Sequence, residues 1–183
     1  RRALVEFKPA GRILELACGT GLWTQHLLPH AEHITAVDVV PEVLRLNQQR
    51  LQSSKVTYVQ SDIFTWKSAE LFDVIFFSFW LSHVPHSHFE PFWEMLSRSV
   101  KTGGRVFFID SMYEPTSTAQ DHHLEAPETG TVLRKLNNGQ EFRIIKILYQ
   151  KDDLARRLSR RGWNVSVHET PHYFLYGAGG LDK

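Results

Sequence analysis

Between Arg12 and Asp110, apolar runs of strand length alternate with segments whose apolar residues recur at helical spacing. That is the pattern of successive βα units in a parallel sheet covered on both faces. The first strand is expected over Arg12–Ala17. After two glycines, Leu22, Trp23, Leu27 and Leu28 share one helical face that stops near Pro29. A second strand is expected over Ile34–Val39. The next helix opens at Pro41, with Val43, Leu44, Leu46 and Leu51 as its buried stripe. Val56–Gln60 supplies the third strand. Phe72–Ser78 is apolar with almost no alternation, as a central parallel strand buried on both faces requires.

Ser87 and Glu90 have the spacing of a capping box, and Phe89, Phe92, Trp93, Leu96 and Val100 then recur helically until Gly103 and Gly104. Arg105–Asp110 is the expected fifth strand. The stretch that follows is polar and ends in Asn137-Asn138-Gly139, a hairpin signal between Thr131–Leu136 and Glu141–Tyr149. Residues 111–149 therefore read as an insertion. Asp152 and Asp153 open a short helix carrying Leu154 and Leu158, closed by Gly162. Trp163–Glu169 and His172–Tyr176 are expected to pair as a final antiparallel couple.

Composition narrows this picture. A chain of 183 residues with 42% apolar side chains suits one domain, residues 1–183. Lys and Arg total 21 against 20 acidic residues, so no net field steers the chain to nucleic acid or an anionic membrane. Cys18 is the only cysteine, which excludes an internal disulfide and fits a reducing, cytoplasmic setting. Apolar stretches such as Val74–Phe77 are far shorter than the roughly 20 residues of a membrane-spanning helix. Arg1 reads as the tail of an unfinished element, and an N-terminal lid is expected upstream of it.

The chemistry starts in Glu15-Leu16-Ala17-Cys18-Gly19-Thr20-Gly21, where small residues and two glycines separate a strand from a helix. Glycine there lets backbone N–H groups approach a ligand closely. A dinucleotide fingerprint would place a third glycine where this chain has Thr24, and a phosphate loop would need Gly-Lys-Ser/Thr. The pattern thus points to a nucleotide-like ligand that needs no anion cradle. S-adenosylmethionine, a cation without phosphate, meets that description.

With Glu15, Gly19 and Gly21 in the order acidic-x-x-x-Gly-x-Gly, the chain resembles the class I S-adenosylmethionine-dependent methyltransferases. The resemblance runs from Gly11 to Tyr176. It implies a doubly wound, mostly parallel seven-stranded Rossmann-like sheet of strand order 3-2-1-4-5-7-6, with the hairpin inserted after strand five. It also implies a cofactor site of Glu15, Ala17, Gly19, Gly21, Asp38, Val39, Ser61, Asp62, Ile63 and Ser78. In that site Asp38 accepts from the ribose hydroxyls, Asp62 receives the adenine amino group and Ile63 packs on the ring. The product would be S-adenosylhomocysteine.

Each residue also has a plainer reading. Glu15 can cap the following helix, Asp38 can be a turn residue before Pro41, and Asp62 can cap a helix. Cys18 reads as small filler, and Asp73, at the strand end away from the loop, as a buried or edge partner rather than a catalyst. His83 follows the central strand and is the candidate catalytic base, or else a loop brace. Trp80, His83 and Tyr113 are the expected contacts of the methyl acceptor. His83, His86, His88, His122 and His123 raise a metal reading, but the helix start explains their spacing and no carboxylate cluster joins them, so no metal is expected. The basic residues Arg156, Arg157, Arg160 and Arg161 read as a solvated helix face.

Methyl transfer from a sulfonium is an in-line displacement that needs the acceptor atom roughly 3 Å from the methyl carbon. Ser78-Phe79-Trp80-Leu81 lacks the Asp/Asn-Pro-Pro-aromatic tetrad of DNA amino-methylating enzymes, and Cys18 is misplaced for cytosine carbon methylation. The expected acceptor is an O, N or C atom of a small, partly apolar metabolite. The rival readings are a cofactor-binding module without catalysis and an NAD-dependent oxidoreductase.

Overall fold

The computed structural model describes residues 1–68, 70–112, 122–124, 130–135 and 138–182. Its strands are β1 (Gly11–Leu16), β2 (Ala31–Asp38), β3 (Val56–Gln60), β4 (Phe72–Ser78), β5 (Val100–Ser111), β6 (His122–Leu124), β7 (Thr131–Lys135), β8 (Glu141–Ile145), β9 (Trp163–Glu169) and β10 (Phe174–Leu181). Its helices are α1 (Arg2–Phe7), α2 (Thr24–Leu27), α3 (Pro41–Leu51), α4 (His86–Ser99) and α5 (Lys151–Ser159), with a 3-10 turn at Leu81–His83. The expected Tyr113 contact lies outside the described residues.

Seven strands form one sheet in the order β3-β2-β1-β4-β5-β10-β9, with β10 antiparallel to both neighbours. With β9 and β10 as its sixth and seventh strands, this is the order the resemblance implies. The chain reverses its direction of travel across the sheet between β1 and β4, and open α/β sheets bind ligands at such a switch point. Ile13, Leu14 and Leu16 of β1 have no exposed surface, because the strand is flanked by β2 and β4 and covered on both faces.

The phenylalanines of β4 and β5 fill both faces of this centre. Phe76 stands opposite Phe107 and Phe77 opposite Phe108, stacked with ring centroids 6.1 and 5.3 Å apart. One pair serves each face of the sheet. Phe76 and Phe107 share a core with Leu4, Leu27 and Leu44, whereas Phe77 and Phe108 pack with Trp93, Leu154 and Trp163. On α4, Phe89, Phe92, Trp93 and Leu96 form the buried face, each contributing roughly 1.5–3 kcal/mol by leaving water.

Several expectations need correction. The capping box at Ser87 does not form: α4 starts one residue earlier after Pro85, and the Ser87 hydroxyl pairs with His88 Nδ1 at 3.1 Å. The same helix stops at Ser99, not at Gly103, because β5 begins at Val100 and pairs with Phe72 before a bulge lets Val74 meet Arg105. Gly104 lies in that bulge, where a Cβ would strike Val100. The helix after the glycine loop is only Thr24–Leu27, and Leu22 points to solvent. On α3 the inward positions are Leu44 and Asn47, while Leu46 is exposed. The second strand starts three residues sooner than expected and the last runs on to Leu181.

The insertion is a three-stranded antiparallel sheet, β6-β7-β8, rather than a hairpin alone. Its second strand pair ends at Ile145, and the following Ile147 and Tyr149 are buried in the core beside α4. Among the described residues, no helix is long and apolar enough to cross a membrane.

Candidate functional site

The site is built where β1 ends. Ala17 turns the chain with φ of 52°, and Gly19 and Gly21 follow at 52° and 85°. This left-handed backbone is unfavourable for a side chain: Ala17 bears that cost, and the two glycines adopt it freely. Their surroundings differ. A Cβ on Gly21 would run into the Asn47 amide oxygen, whereas among the described residues a Cβ on Gly19 would meet nothing within 4 Å. Gly19 therefore leaves an open approach to the backbone, and Gly21 allows close packing of the loop on α3.

Two polar anchors hold this loop. Asp38, at the end of β2, accepts the Gly19 N–H at 2.9 Å through one carboxylate oxygen and the Val40 N–H at 3.1 Å through the other. Asn47 donates to the Gly19 carbonyl at 3.3 Å and to the Thr24 hydroxyl at 3.0 Å, while Tyr58 donates to its amide oxygen at 3.1 Å. Asp38 is thus both a turn residue and a loop anchor, and each of its oxygens keeps further accepting capacity. Cys18 is buried within the loop, and burial pushes its thiol above the ordinary range, as suits filler rather than a nucleophile.

Glu15 sits beneath the loop and is 1% exposed. Among the described residues its Oε2 has no hydrogen-bond partner. Burial raises its pKa from 4.5 to about 8, Thr24 donation offsets part of that rise, and the negative charge of Asp38 adds to it. A buried carboxyl with an unused oxygen is costly unless something completes it. A cationic ligand above the loop would do so, and the phosphate of a dinucleotide would not. The donor set of Glu15, the open Gly19 backbone and Asp38 therefore fits an uncharged ribose joined to a cationic amino acid tail.

The remaining expected positions divide. Ser61 and Asp62 follow β3 beside Asp38, whose carbonyl accepts the Ser61 N–H at 3.0 Å. Asp62 accepts the Phe64 N–H at 2.9 Å, so its plainer local role is realised in a turn rather than as a helix cap, and its side chain stays exposed. Ile63 is already buried in the core beside Leu14, Val37 and Phe77. Val39 is 57% exposed at the rim. Ser78 ends β4, after which Phe79 turns with φ of 53° and donates its N–H to the Ile109 carbonyl at 2.8 Å. That turn sets Trp80 against Phe64 at 5.4 Å, with the Trp80 indole N–H buried and without a partner among the described residues.

His83 ends the 3-10 turn, and its Nδ1 is 2.7 Å from the Ile145 carbonyl. A carbonyl only accepts, so Nδ1 carries a proton and Nε2 is the basic nitrogen of the neutral ring. The loop-brace reading is therefore realised in geometry, and it leaves the ring chemically able to act as a base. Beneath it lies a group that sequence reading missed. Asp110, 2% exposed at the end of β5, accepts the Ser82 N–H at 2.8 Å and the Ser111 N–H at 2.7 Å, with Lys146 Nζ 3.7 Å away. Burial lowers the Lys146 pKa, and Asp110 opposes that shift. Signals were present: Lys146 interrupts the apolar run Ile144 to Leu148, Asp110 ends its strand as Asp38 does, and Asn47 falls in the apolar stripe of α3.

At the opposite strand ends, Asp73 accepts from the Arg12 N–H and from Lys101 Nζ, each at 2.8 Å, and so is the edge partner expected. Among the described residues, no group of His, Cys, Asp and Glu is arranged to hold a metal ion.

Residues 13–104 match the family described as a methyltransferase domain. A solved structure described as the DhpI–SAH complex is 34% identical, with a TM-score of 0.84 over 98% of this chain and 81% of that one. The nodulation protein S of Rhizobium tropici is 37% identical over 68 residues, which are 37% of this chain and 29% of that protein. A malonyl-[acyl-carrier protein] O-methyltransferase of Bacillus cereus is 29% identical over 164 residues, 87% of this chain and 57% of that protein. The chain thus spans less than two thirds of these two curated relatives. With a family match across the glycine loop, Asp38, Asp62 and His83, and a close structural likeness over nearly its whole length, the chain belongs to the S-adenosylmethionine-dependent methyltransferases.

Proposed function

We propose that residues 1–183 form one catalytic domain that transfers a methyl group from S-adenosylmethionine to an O, N or C atom of a small, partly apolar metabolite. The observation that carries this reading is the unfilled carboxyl of Glu15 beneath an open Gly19, with Asp38 beside it. In this reading Glu15, Ala17, Gly19 and Gly21 hold the amino acid end of the cofactor. Asp38 and Val39 hold the ribose, and Ser61, Asp62, Ile63 and Ser78 surround the adenine. Ile63 contributes through its backbone and a buried flank, since its side chain already belongs to the core.

Bound there, S-adenosylmethionine supplies an electrophilic methyl group, and the protein must orient the acceptor and exclude water. Trp80 lines the acceptor side, and His83 Nε2 takes the proton of an acidic acceptor as it is methylated. One relative is named for O-methylation of malonyl-[acyl-carrier protein], which supports oxygen as one of these acceptor atoms. The balanced charge supports a metabolite over nucleic acid, and the lone buried Cys18 suits action in the cytoplasm. The test is a screen of small acids, amines and acyl thioesters with methyl-labelled S-adenosylmethionine. Label transferred to one acceptor class is the expected result, and hydride exchange with NAD in place of any transfer would overturn it.

A further inference from the structure

Three consecutive residues, from the last of β8 onwards, are fastened to the 3-10 turn that carries His83. The Ile145 carbonyl accepts from His83 Nδ1 at 2.7 Å, Lys146 Nζ reaches the Ser82 hydroxyl at 2.8 Å, and the Ile147 N–H donates to the Ser82 carbonyl at 2.8 Å. Lys146 also donates its backbone N–H to the Gly130 carbonyl at 2.8 Å, which ties the strap to the start of β7.

The lysine is the centre of this fastening. Its Nζ lies 2.8 Å from Ser82, 3.2 Å from Ser111 and 3.7 Å from Asp110, so its ammonium is directed at one group on the turn and two at the end of β5. Asp110 in turn holds the Ser82 and Ser111 N–H groups. Charged side chains of 16% and 3% exposure are a costly way to join two loops if only adhesion is needed, because an apolar contact would do as well. What ionic and hydrogen-bonded geometry adds is a fixed position. The position fixed here is that of the neighbouring Ile145 carbonyl, 62 residues from the imidazole it orients.

We infer that Lys146 is a positioning residue for His83: clamped by Asp110, Ser82 and Ser111, it seats the Ile145 carbonyl so that the imidazole keeps its proton on Nδ1 and presents Nε2 as base. The functional value of this lock rests on the proposed role of His83, but its existence does not. Lysine is suited to the task because one ammonium donates to the Ser82 and Ser111 hydroxyls on two elements while its charge faces Asp110.

The test is ring nitrogen NMR of the uniformly labelled protein bound to S-adenosylhomocysteine, with the His83 signals assigned by their loss in His83→Gln. In the wild type the Nδ1 signal should stay in the range of a protonated ring nitrogen at neutral pH. In Lys146→Met the two ring nitrogens should move towards averaged values, with the His33 and His168 signals unchanged, and Lys146→Arg should restore at least half of the difference. Should Lys146→Met fail to fold, Ser111→Ala removes one clamp contact, keeps the charge pair and should shift the His83 signals in the same direction by a smaller amount. His83 signals that stay at wild-type values in the folded variants would overturn the inference. Averaged signals with undiminished methyl transfer would support the lock and count against the base role of His83 instead.

Discussion

Asp73 and Glu15, at opposite ends of two adjacent central strands, are treated in opposite ways. At the amino ends of the strands, Asp73 is completed by Lys101 and the Arg12 N–H, and although partial burial works against ionisation, those partners hold its pKa below the ordinary value. At the carboxyl ends, Glu15 is buried with an unused oxygen and its pKa is driven up to about 8. Both residues lie on or beside the same central strands, so the contrast does not come from fold alone. A satisfied charge is architecture, and an unsatisfied one is an invitation to a ligand.

The variants that sharpen this contrast can be ranked by effect. His83→Ala should lower turnover by about 100-fold or more while leaving S-adenosylhomocysteine affinity within about twofold, read from steady-state kinetics beside calorimetry. Asp38→Ala removes the acceptor of the Gly19 and Val40 N–H groups as well as the proposed ribose partner. Its cofactor affinity should fall by roughly 100-fold, about 2.7 kcal/mol. Equal affinity in the variant would separate Asp38 from the cofactor.

Glu15→Gln gives a smaller loss of affinity, about tenfold, together with a distinctive pH effect. Because the folded pKa of Glu15 lies above the unfolded value of 4.5, its protonated form stabilises the fold below that pH. The contribution disappears as pH rises through about 8. Denaturation midpoints of the wild type should therefore decline across that window relative to Glu15→Gln. Asp73→Asn has the opposite sign and the least effect. Its depressed pKa gives stability that is present above the ordinary carboxyl range and lost as pH falls through the lower folded value. At 37% exposure, solvent screening limits it to about 1 kcal/mol or less, with cofactor affinity unchanged.

The parts of this account that were legible in the sequence are those encoded locally. The unbroken apolarity of Phe72–Ser78 marks a strand buried on both faces, and Gly19 and Gly21 mark a backbone that a side chain would obstruct. Asp38 was legible because strand ends recur at predictable intervals. Positions whose meaning depends on packing were not. Asn47 looks like one more polar helix residue until Tyr58, Thr24 and Gly19 surround it. The link between Lys146 and Asp110 exists only because the insertion folds back onto the end of β5. The capping box failed for a related reason: Pro85 and the preceding 3-10 turn direct the entry to α4, so the Ser87 side chain turns to its neighbour.

The claim on which the rest depends is that the unsatisfied carboxyl end of the sheet receives the cofactor. Calorimetric titration of the wild type with S-adenosylhomocysteine, repeated in buffers of different ionisation enthalpy near pH 7, measures it directly. Saturable one-to-one binding with release of a proton is predicted, since the ligand's α-ammonium above Glu15 favours its ionised form. Absence of binding, or binding with no proton released that persists unchanged in Glu15→Gln, would contradict the account.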